Sequence, residues 1–362
     1  MAEEVIADPA GVNQQDDQTA PLVEVRDGEV VFQTRKGIFR SGAVHALNGV
    51  DLKIHRGETV ALVGESGSGK TTLGRLTLRL VKPTAGSVWY DGRDISELPE
   101  SELREFRQHA QIVFQDPFSS LNPYMTVGEL IEEPLIIDGI KDSTGRRKRV
   151  DETLEAVDLI PADRFASKYP GQMSGGQRQR VGIARALVRN PDYIVTDEPV
   201  SMIDASSRIE VLNLLDTLQR QRRMAFLFIT HDIATARYFA DRIAVMYAGF
   251  IVEEGIAGRI IDNPLHPYTQ ALIAAIPEPD PRNRLKRRAV VPGEPGDTAK
   301  ALVGCPFFSR CPMRTPGLCD VDRPRLIARE PGHFVACHLY DTGSPVPASP
   351  LADRDSQSRL LL

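Results

Sequence analysis

The sequence predicts an α/β fold with a mainly parallel sheet, and two patterns along the chain support this prediction. Short β-rich runs alternate with helical periodicity from residue 22 to about residue 275, and strands separated by helices form parallel sheets covered on both faces. The clearest strand candidates are Glu58–Val63, Ala110–Phe114, Tyr193–Thr196 and Ala225–Thr230. From about residue 116 to 180 the chain is instead rich in helical patterns. We therefore expect a helical subdomain inserted into an α/β core.

Shifts in composition divide the chain into a main domain and flanking segments. Residues 1–20 are acidic and lack the basic start and apolar centre of a secretory signal, so we expect a disordered tail there. The main domain is expected to span residues 21–276. A break rich in proline and charge follows, and residues 277–340 are interpreted as a small extension that contains all four cysteines. Residues 341–362 are expected to form a second disordered tail.

The composition is that of a globular protein and argues against two classes of function. Although 41% of the residues are hydrophobic, no uninterrupted apolar stretch approaches the roughly 20 residues needed to cross a bilayer. Membrane association therefore requires a partner protein. The net charge of −5 lacks the basic excess typical of nucleic-acid binding, so no nucleic-acid partner is expected.

A phosphate-binding loop (P-loop) is predicted between a strand and a helix. Glycines in such a loop let backbone amides surround phosphates, and the following helix adds its partial positive charge. Lys70 is expected to reach the β- and γ-phosphates, and the Thr71 hydroxyl to hold Mg²⁺. The candidate ATP-binding residues are Gly64, Glu65, Ser66, Gly67, Ser68, Gly69, Lys70, Thr71 and Thr72.

Polar residues follow three other predicted strands. Asp197 and Glu198 end the strand Tyr193–Thr196, where two carboxylates at the sheet edge can divide metal binding and activation of water between them. His231 follows a second strand, and Gln115 follows a third. In isolation such a histidine is more often structural, and such a glutamine carries no signal. The position of His231 at a sheet edge would let its imidazole reach the γ-phosphate region.

A further motif, Met173 followed by Ser-Gly-Gly-Gln, opens a predicted helix about a hundred residues after the P-loop. In this order, the motifs closely resemble the nucleotide-binding subunits of ATP-binding cassette (ABC) transporters. The resemblance implies a P-loop NTPase cassette with an antiparallel β-subdomain added to the mainly parallel core. It also implies that two cassettes face each other head to tail, so that each ATP lies between one P-loop and the other chain's helix N-terminus. The residues that would contact the partner's nucleotide are Ser174, Gly175, Gly176 and Gln177.

The same resemblance implies roles for the other candidates. Asp197 would hold Mg²⁺, and Glu198 would polarise the water that attacks the γ-phosphate. His231 corresponds to the switch histidine, and Gln115 would touch Mg²⁺ or the water. Asp204 would lie in the D-loop across the interface. The chain departs from the common pattern at Thr71 and Met173, where the changes are conservative. It also departs at the Met-Ile pair before Asp204, where the change would affect subunit pairing more than chemistry.

The aromatic residue that would stack on adenine lies upstream of Asn48 in this family, at a variable position. Phe39 is the first candidate and Phe32 the second. A packing role fits either residue equally well.

Four stretches resemble the dipeptide and oligopeptide permease branch and its nickel-uptake relatives. They are Val44–Val50, Ile112–Pro117, Ser119–Pro123 and Asn263–Thr269. In that branch the C-terminal segment carries cysteines that suit a [4Fe-4S] cluster. Structural Zn²⁺ and unliganded thiols remain alternatives, since the spacing is not that of common ferredoxins. The cysteines are Cys305, Cys311, Cys319 and Cys337.

The motifs together predict an ATPase subunit of an ABC importer of dipeptides or oligopeptides. Its expected partners are two transmembrane permease subunits, a second cassette that we expect to be a paralogue, and an extracytoplasmic solute-binding protein. The chain would sit peripherally at the cytoplasmic face of the inner membrane. Other solutes, namely nickel, glutathione, opines or oligosaccharides, remain open. Two alternatives are a soluble ABC ATPase of translation or DNA repair, and a module that senses redox state through its cysteines.

Overall fold

The computed structural model describes residues 20–36, 40–276 and 303–341, and within these ranges it contains two sheets. The smaller sheet is antiparallel and has the strand order β2-β1-β4-β5. Its strands are β1 (Val23–Lys36), β2 (Arg40–Ile54), β4 (Ala85–Tyr90) and β5 (Arg93–Asp94). This sheet is the antiparallel subdomain that the resemblance implied.

The larger sheet has eight strands in the order β11-β12-β10-β9-β3-β8-β7-β6. The five strands from β9 to β6 run parallel, and the other three are antiparallel additions at one side. The bounds are β3 (Thr59–Val63), β6 (Ala110–Val113), β7 (Tyr193–Asp197), β8 (Ala225–Thr230), β9 (Arg242–Tyr247), β10 (Phe250–Ile256), β11 (Ile327–Glu330) and β12 (His333–Val335). The predicted α/β fold with a mainly parallel core is confirmed.

Helices cover both faces of the parallel strands. Alternate residues of β3 enter two separate hydrophobic clusters, Val60 and Leu62 on one face and Ala61 and Val63 on the other. A strand that is apolar on both faces must be covered twice. The helices outside the insertion are α1 (Lys70–Thr77), α2 (Glu100–His109), α8 (Ala205–Arg222), α9 (Ile233–Phe239), α10 (Ala257–Asp262) and α11 (Pro267–Ala274).

Five helices lie between β6 and β7 in the chain, although these two strands are neighbours in the sheet. They are α3 (Pro117–Ser120), α4 (Val127–Ile137), α5 (Ser143–Ala156), α6 (Ala162–Ala166) and α7 (Gly175–Leu187). Thr126 caps α4 through a reciprocal pair of bonds with Glu129, which fixes where that helix begins. No helix in the described part of the chain is long and apolar enough to cross a membrane.

The C-terminal segment is built into the main sheet. Strand β12 pairs with β10, with Val335 opposite Glu253, and β11 pairs with β12. Residues 303–341 therefore pack directly against the nucleotide-binding core, so that side chains of this segment can contact loops at the edge of the sheet.

Candidate active site

The P-loop joins β3 to α1, and two of its glycines are required by close contacts. A Cβ on Gly64 would lie 2.2 Å from the carbonyl oxygen of Met246, and one on Gly69 would lie 2.6 Å from that of Ala46. Gly69 also has a φ of +105°, which side chains rarely adopt. The loop therefore curls tightly against β9 and β2, with its amides at the N-terminus of α1.

Lys70 is the first residue of α1, and its side chain folds back over the loop. Its Nζ donates to the carbonyl oxygens of Gly64, at 2.7 Å, and Glu65, at 2.9 Å. Desolvation lowers the pKa of Lys70, while the nearby carboxylates of Glu198, Asp197 and Glu65 oppose that shift. The ammonium group is thus held inside the loop that surrounds the phosphates in a P-loop protein.

Thr71 and Asp197 form a pair of oxygen ligands beside the loop. The Thr71 hydroxyl donates to Oδ1 of Asp197 at 3.0 Å. Asp197 ends β7 and is buried, and this desolvation raises its pKa, whereas the bond from Thr71 lowers it. Hydroxyl and carboxylate oxygens are the donors that Mg²⁺ prefers. The residues present therefore fit a magnesium ion bound next to the phosphates.

The Glu198 carboxylate connects the ends of three strands. Gln115 Nε2 donates to its Oε2 at 3.0 Å, and His231 Nδ1 lies 3.2 Å from its Oε1. Glu198 itself has a φ of +46°, an uncommon conformation for a side chain of this size. Its amide donates to the Ile229 carbonyl at 2.9 Å, which holds this turn in place. The three predicted residues thus meet at one carboxylate.

Lys70, Thr71, Gln115, Glu198 and His231 line one open cleft of about 620 Å³. Phe32 lies at its wall beside Val44 and Ala46, and 41% of its surface is exposed. Phe39, the first candidate for adenine stacking, lies outside the described residues. Phe32, the second candidate, is the aromatic residue that this cleft contains. The full lining is Phe32, Val44, Ala46, Ser66, Gly67, Gly69, Lys70, Thr71, Thr72, Gln115, Glu198 and His231.

The Ser-Gly-Gly-Gln run lies apart from this cleft. Ser174 caps α7 through a reciprocal pair of bonds with Gln177, and neither residue lines the cleft. A Cβ on Gly176 would lie 2.9 Å from Ser207 in α8, so this glycine lets α7 and α8 approach closely. Asp204 caps α8, and hydrogen bonds from Ser206 and Ser207 lower its pKa. These residues stay predicted contacts of a partner's nucleotide.

The cysteine segment does not present a ready metal site. The pKa of Cys305 is raised to about 11 and that of Cys337 to about 12, mainly by burial and to a smaller extent by the neighbouring cysteines. The thiols are thus near each other, and all four are free. Yet among the described residues, which include all four cysteines, no group of three or more histidine, cysteine or acidic side chains could hold a metal ion. The structure therefore gives no support to the predicted [4Fe-4S] cluster or Zn²⁺.

Tyr268 and Arg310 contact the P-loop at Glu65, although the sequence analysis did not assign either residue to the site. Tyr268 Oη accepts a hydrogen bond from the Glu65 amide at 2.8 Å. Arg310 donates to both carboxylate oxygens of Glu65, at 2.8 and 3.1 Å. They lie 203 and 245 residues away along the chain. Tyr268 belongs to a stretch noted only as typical of one transporter branch, and no local pattern marked Arg310.

Two family domains match the chain. The ABC transporter domain matches residues 47–201, and the C-terminal region of oligopeptide and dipeptide transporters matches residues 252–319. The chain is 45% identical to the oligopeptide transport ATP-binding protein AppF of Bacillus subtilis, over 88% of this chain and 97% of that protein. It is 46% identical to a putative peptide import ATP-binding protein of Brucella ovis, over 88% of this chain and 97% of that protein.

Solved structures show the same fold. A dimeric post-hydrolysis state of an ATP-binding cassette bound to ADP and Pi covers 65% of this chain and 98% of its own, with a TM-score of 0.57 and 34% identity. The cbiO1 protein of Clostridium perfringens, part of the ABC transporter complex cbiONQ, covers 67% of this chain and 92% of its own, with a TM-score of 0.59 and 26% identity.

Proposed function

Because the chain belongs to the family of ATP-binding subunits of ABC transporters, we propose that it hydrolyses ATP to drive the import of peptides. One observation carries the assignment of the catalytic site. Lys70, Thr71 and Glu198 border a single cleft at the carboxyl ends of parallel strands, and Asp197 accepts a hydrogen bond from Thr71 beside it. Phosphate binding, metal binding and activation of water thus fall within one site.

In the proposed reaction, each of these residues has a separate role. Backbone amides of residues 64–71 and Lys70 bind the phosphates and stabilise charge that develops on the γ-phosphate. Thr71 and Asp197 would hold Mg²⁺, which when bound neutralises charge on the phosphates. Glu198 orients and polarises the attacking water. Gln115 and His231 fix the Glu198 carboxylate from two sides and can contact the same water.

A complete site is proposed to need a second cassette. Ser174 caps a 13-residue helix whose N-terminus carries a partial positive charge that favours an anion, but it lies outside the cleft of its own chain. Asp204 begins α8 close to the start of α7. We infer that both act across a head-to-tail pair of cassettes. ATP binding would close this pair, and hydrolysis would reopen it.

The transported solute is proposed to be a peptide because the relatives at 45–48% identity are named as oligopeptide transport proteins. The solute itself would contact the permease subunits and an extracytoplasmic binding protein. The helical subdomain would pass the closure of the cassettes to two permeases at the cytoplasmic face of the membrane. The sequence-based alternatives, nickel among them, remain outcomes of the test below.

For the cysteine segment, we propose a bound [4Fe-4S] cluster, with Zn²⁺ as the alternative. The presence of four free thiols on one segment supports this proposal. The positions of their side chains do not, because among the described residues no group of three or more candidate ligands could hold a metal ion. Iron, acid-labile sulfide and zinc would be measured on protein purified without oxygen. Absence of all three would leave unliganded thiols.

The decisive experiment isolates the tagged full-length chain from its own cell membranes in mild detergent, with the partners identified by mass spectrometry. We expect two polytopic permeases and a second cassette, and ATPase activity that rises when the binding protein is loaded with peptide. The Lys70→Ala variant should assemble equally well but lose that stimulated activity. Recovery as a soluble monomer or with ribosomes would contradict the importer and favour a soluble ABC ATPase.

A further inference from the structure

A side chain of the C-terminal segment holds the P-loop from outside. Arg310 lies next to Cys311, and its two terminal nitrogens bind the two carboxylate oxygens of Glu65. Only 8% of the Arg310 side chain is exposed. A two-pronged pair of this kind fixes orientation as well as distance, and screening by salt weakens a shielded pair less than an exposed one. The side chain of Glu65 therefore has a defined position before any nucleotide binds.

The main chain of the same loop residue is held by a second group. The Glu65 amide donates to Tyr268 Oη, and Tyr268 is fully buried at the start of α11. The Tyr268 ring packs edge-on against Tyr247, with 4.7 Å between centroids, and lies 5.5 Å from Phe307. Phe307 belongs to the C-terminal segment and is itself completely buried. Both contacts with Glu65 thus depend on an aromatic cluster that this segment completes.

A buried carboxylate anchors the cluster to the main sheet. Glu253 in β10 accepts hydrogen bonds from the amides of Leu265 and His266, at 2.7 and 2.8 Å. His333 in β12 places Nε2 2.8 Å from Glu253, and both side chains are fully buried. His266 Nδ1 in turn accepts from the Tyr268 amide and so caps α11. A continuous set of buried contacts therefore joins β12 to the P-loop.

We propose that Arg310 and Tyr268 are positioning residues that preorganise the P-loop for ATP. The inference rests on the proposed ATPase function of this loop. Lys70 donates to the carbonyls of Gly64 and Glu65, so the placement of residue 65 also determines the placement of the ammonium group. When either contact is lost, ATP binding must order the loop itself, and that ordering subtracts from affinity.

The test measures ATP affinity of the full-length chain by titration calorimetry, and KM and kcat on the intact transporter. Arg310→Met and Tyr268→Phe should each weaken ATP binding, by about tenfold for Arg310→Met, and should raise KM more than they lower kcat. Arg310→Lys, which keeps the charge without the two-pronged geometry, should fall between wild type and Arg310→Met. The matched control is Arg314→Met, since Arg314 is an exposed residue of the same segment that donates to the Ser309 carbonyl. It should leave affinity unchanged.

A double variant separates the pair from general loss of structure. The affinity for ATP is compared among Arg310→Met, Glu65→Gln and the variant that carries both changes. If Arg310 acts through Glu65, the double variant should bind ATP no more weakly than the single variant with the lower affinity. Full additivity, or wild-type affinity in both Arg310→Met and Tyr268→Phe, would overturn the proposal. Thermal melts check folding, and Tyr268→Phe decides the matter if Arg310→Met does not fold. Undiminished binding in Lys70→Ala would instead refute the ATP site itself.

Discussion

Replacing Glu253 by glutamine is expected to destabilise the protein markedly, although Glu253 does not line the candidate nucleotide cleft. Its Oε1 accepts from the Leu265 amide and lies 2.8 Å from His333 Nε2, while Oε2 accepts from the His266 amide. A glutamine can supply an acceptor at only one of these positions. With the amide oxygen at the Oε1 position, the new NH₂ group faces the His266 N–H, donor against donor.

The cost follows from these contacts. A hydrogen bond to a charged group contributes about 1.5–3 kcal/mol, and a buried donor left without an acceptor costs about 1–3 kcal/mol. We expect a loss of at least about 2.5 kcal/mol in the free energy of unfolding. At about 1.5–2 °C per kcal/mol for a chain of this length, Tm should fall by at least about 4 °C.

Urea and thermal unfolding of the full-length chain measure this effect. The matched control is Glu330→Gln, because Glu330 lies in β11 of the same sheet edge and only meets Arg259 at 3.4 Å in an exposed pair. Such a pair contributes about 0–1 kcal/mol. Because Glu253 anchors the start of α11, the Glu253→Gln variant should also bind ATP more weakly. Equal Tm changes in the two variants would refute the argument from buried acceptors.

Substitutions at three further positions test the site and the stability of the fold. Phe32→Ala should weaken ATP binding by about 1–3 kcal/mol, the usual loss when an aromatic platform under a base is removed, and Phe32→Trp should retain binding; titration with ATP measures both. Glu198→Gln should lower kcat by about 10²–10⁴-fold with little change in ATP affinity, as steady-state ATPase assays would show. Burial lowers the pKa of His266 to about 3 from 6.5, so the unfolded chain takes up a proton that the folded chain excludes. Stability should therefore fall as pH drops below about 6.5, by about 2 kcal/mol at about pH 5. His266→Asn, which keeps a capping oxygen, should lose this component when urea unfolding is compared at the two pH values.

Each of these expectations has a clear contrary result. Unchanged affinity in Phe32→Ala would make Phe32 a packing residue and leave Phe39 as the candidate. Wild-type turnover in Glu198→Gln would exclude Glu198 as the group that activates water. The same pH dependence in wild type and His266→Asn would mean that another group dominates the acid lability.

The sequence was most informative where function depends on consecutive residues. The P-loop amides, Lys70 and Thr71 belong to one stretch, and a strand before it with a helix after it determines how that stretch folds. Asp197 and Glu198 were likewise found because they follow an apolar run at a strand end. In these cases the geometry is local, so the chain itself carries the signal.

Adenine recognition could not be located in this way. Phe32 and Phe39 both precede Asn48 in the sequence, and nothing in their neighbouring residues separates a packing residue from a binding one. Only the fold of the small sheet against the P-loop brings Phe32 to the cleft beside Val44 and Ala46. The cysteine spacing was similarly ambiguous, and the arrangement of the thiols in the structure did not support the predicted metal site.

By itself, then, the sequence determined the α/β class and the inserted helices and predicted the residues of the nucleotide site, because each rests on local periodicity or a short motif. The tertiary structure decided that the C-terminal segment extends the main sheet and that Arg310 and Tyr268 hold Glu65. Contacts across more than 200 residues depend on which strands pair and which faces are buried. No local pattern encodes that choice, because it is made by the packing of the whole core.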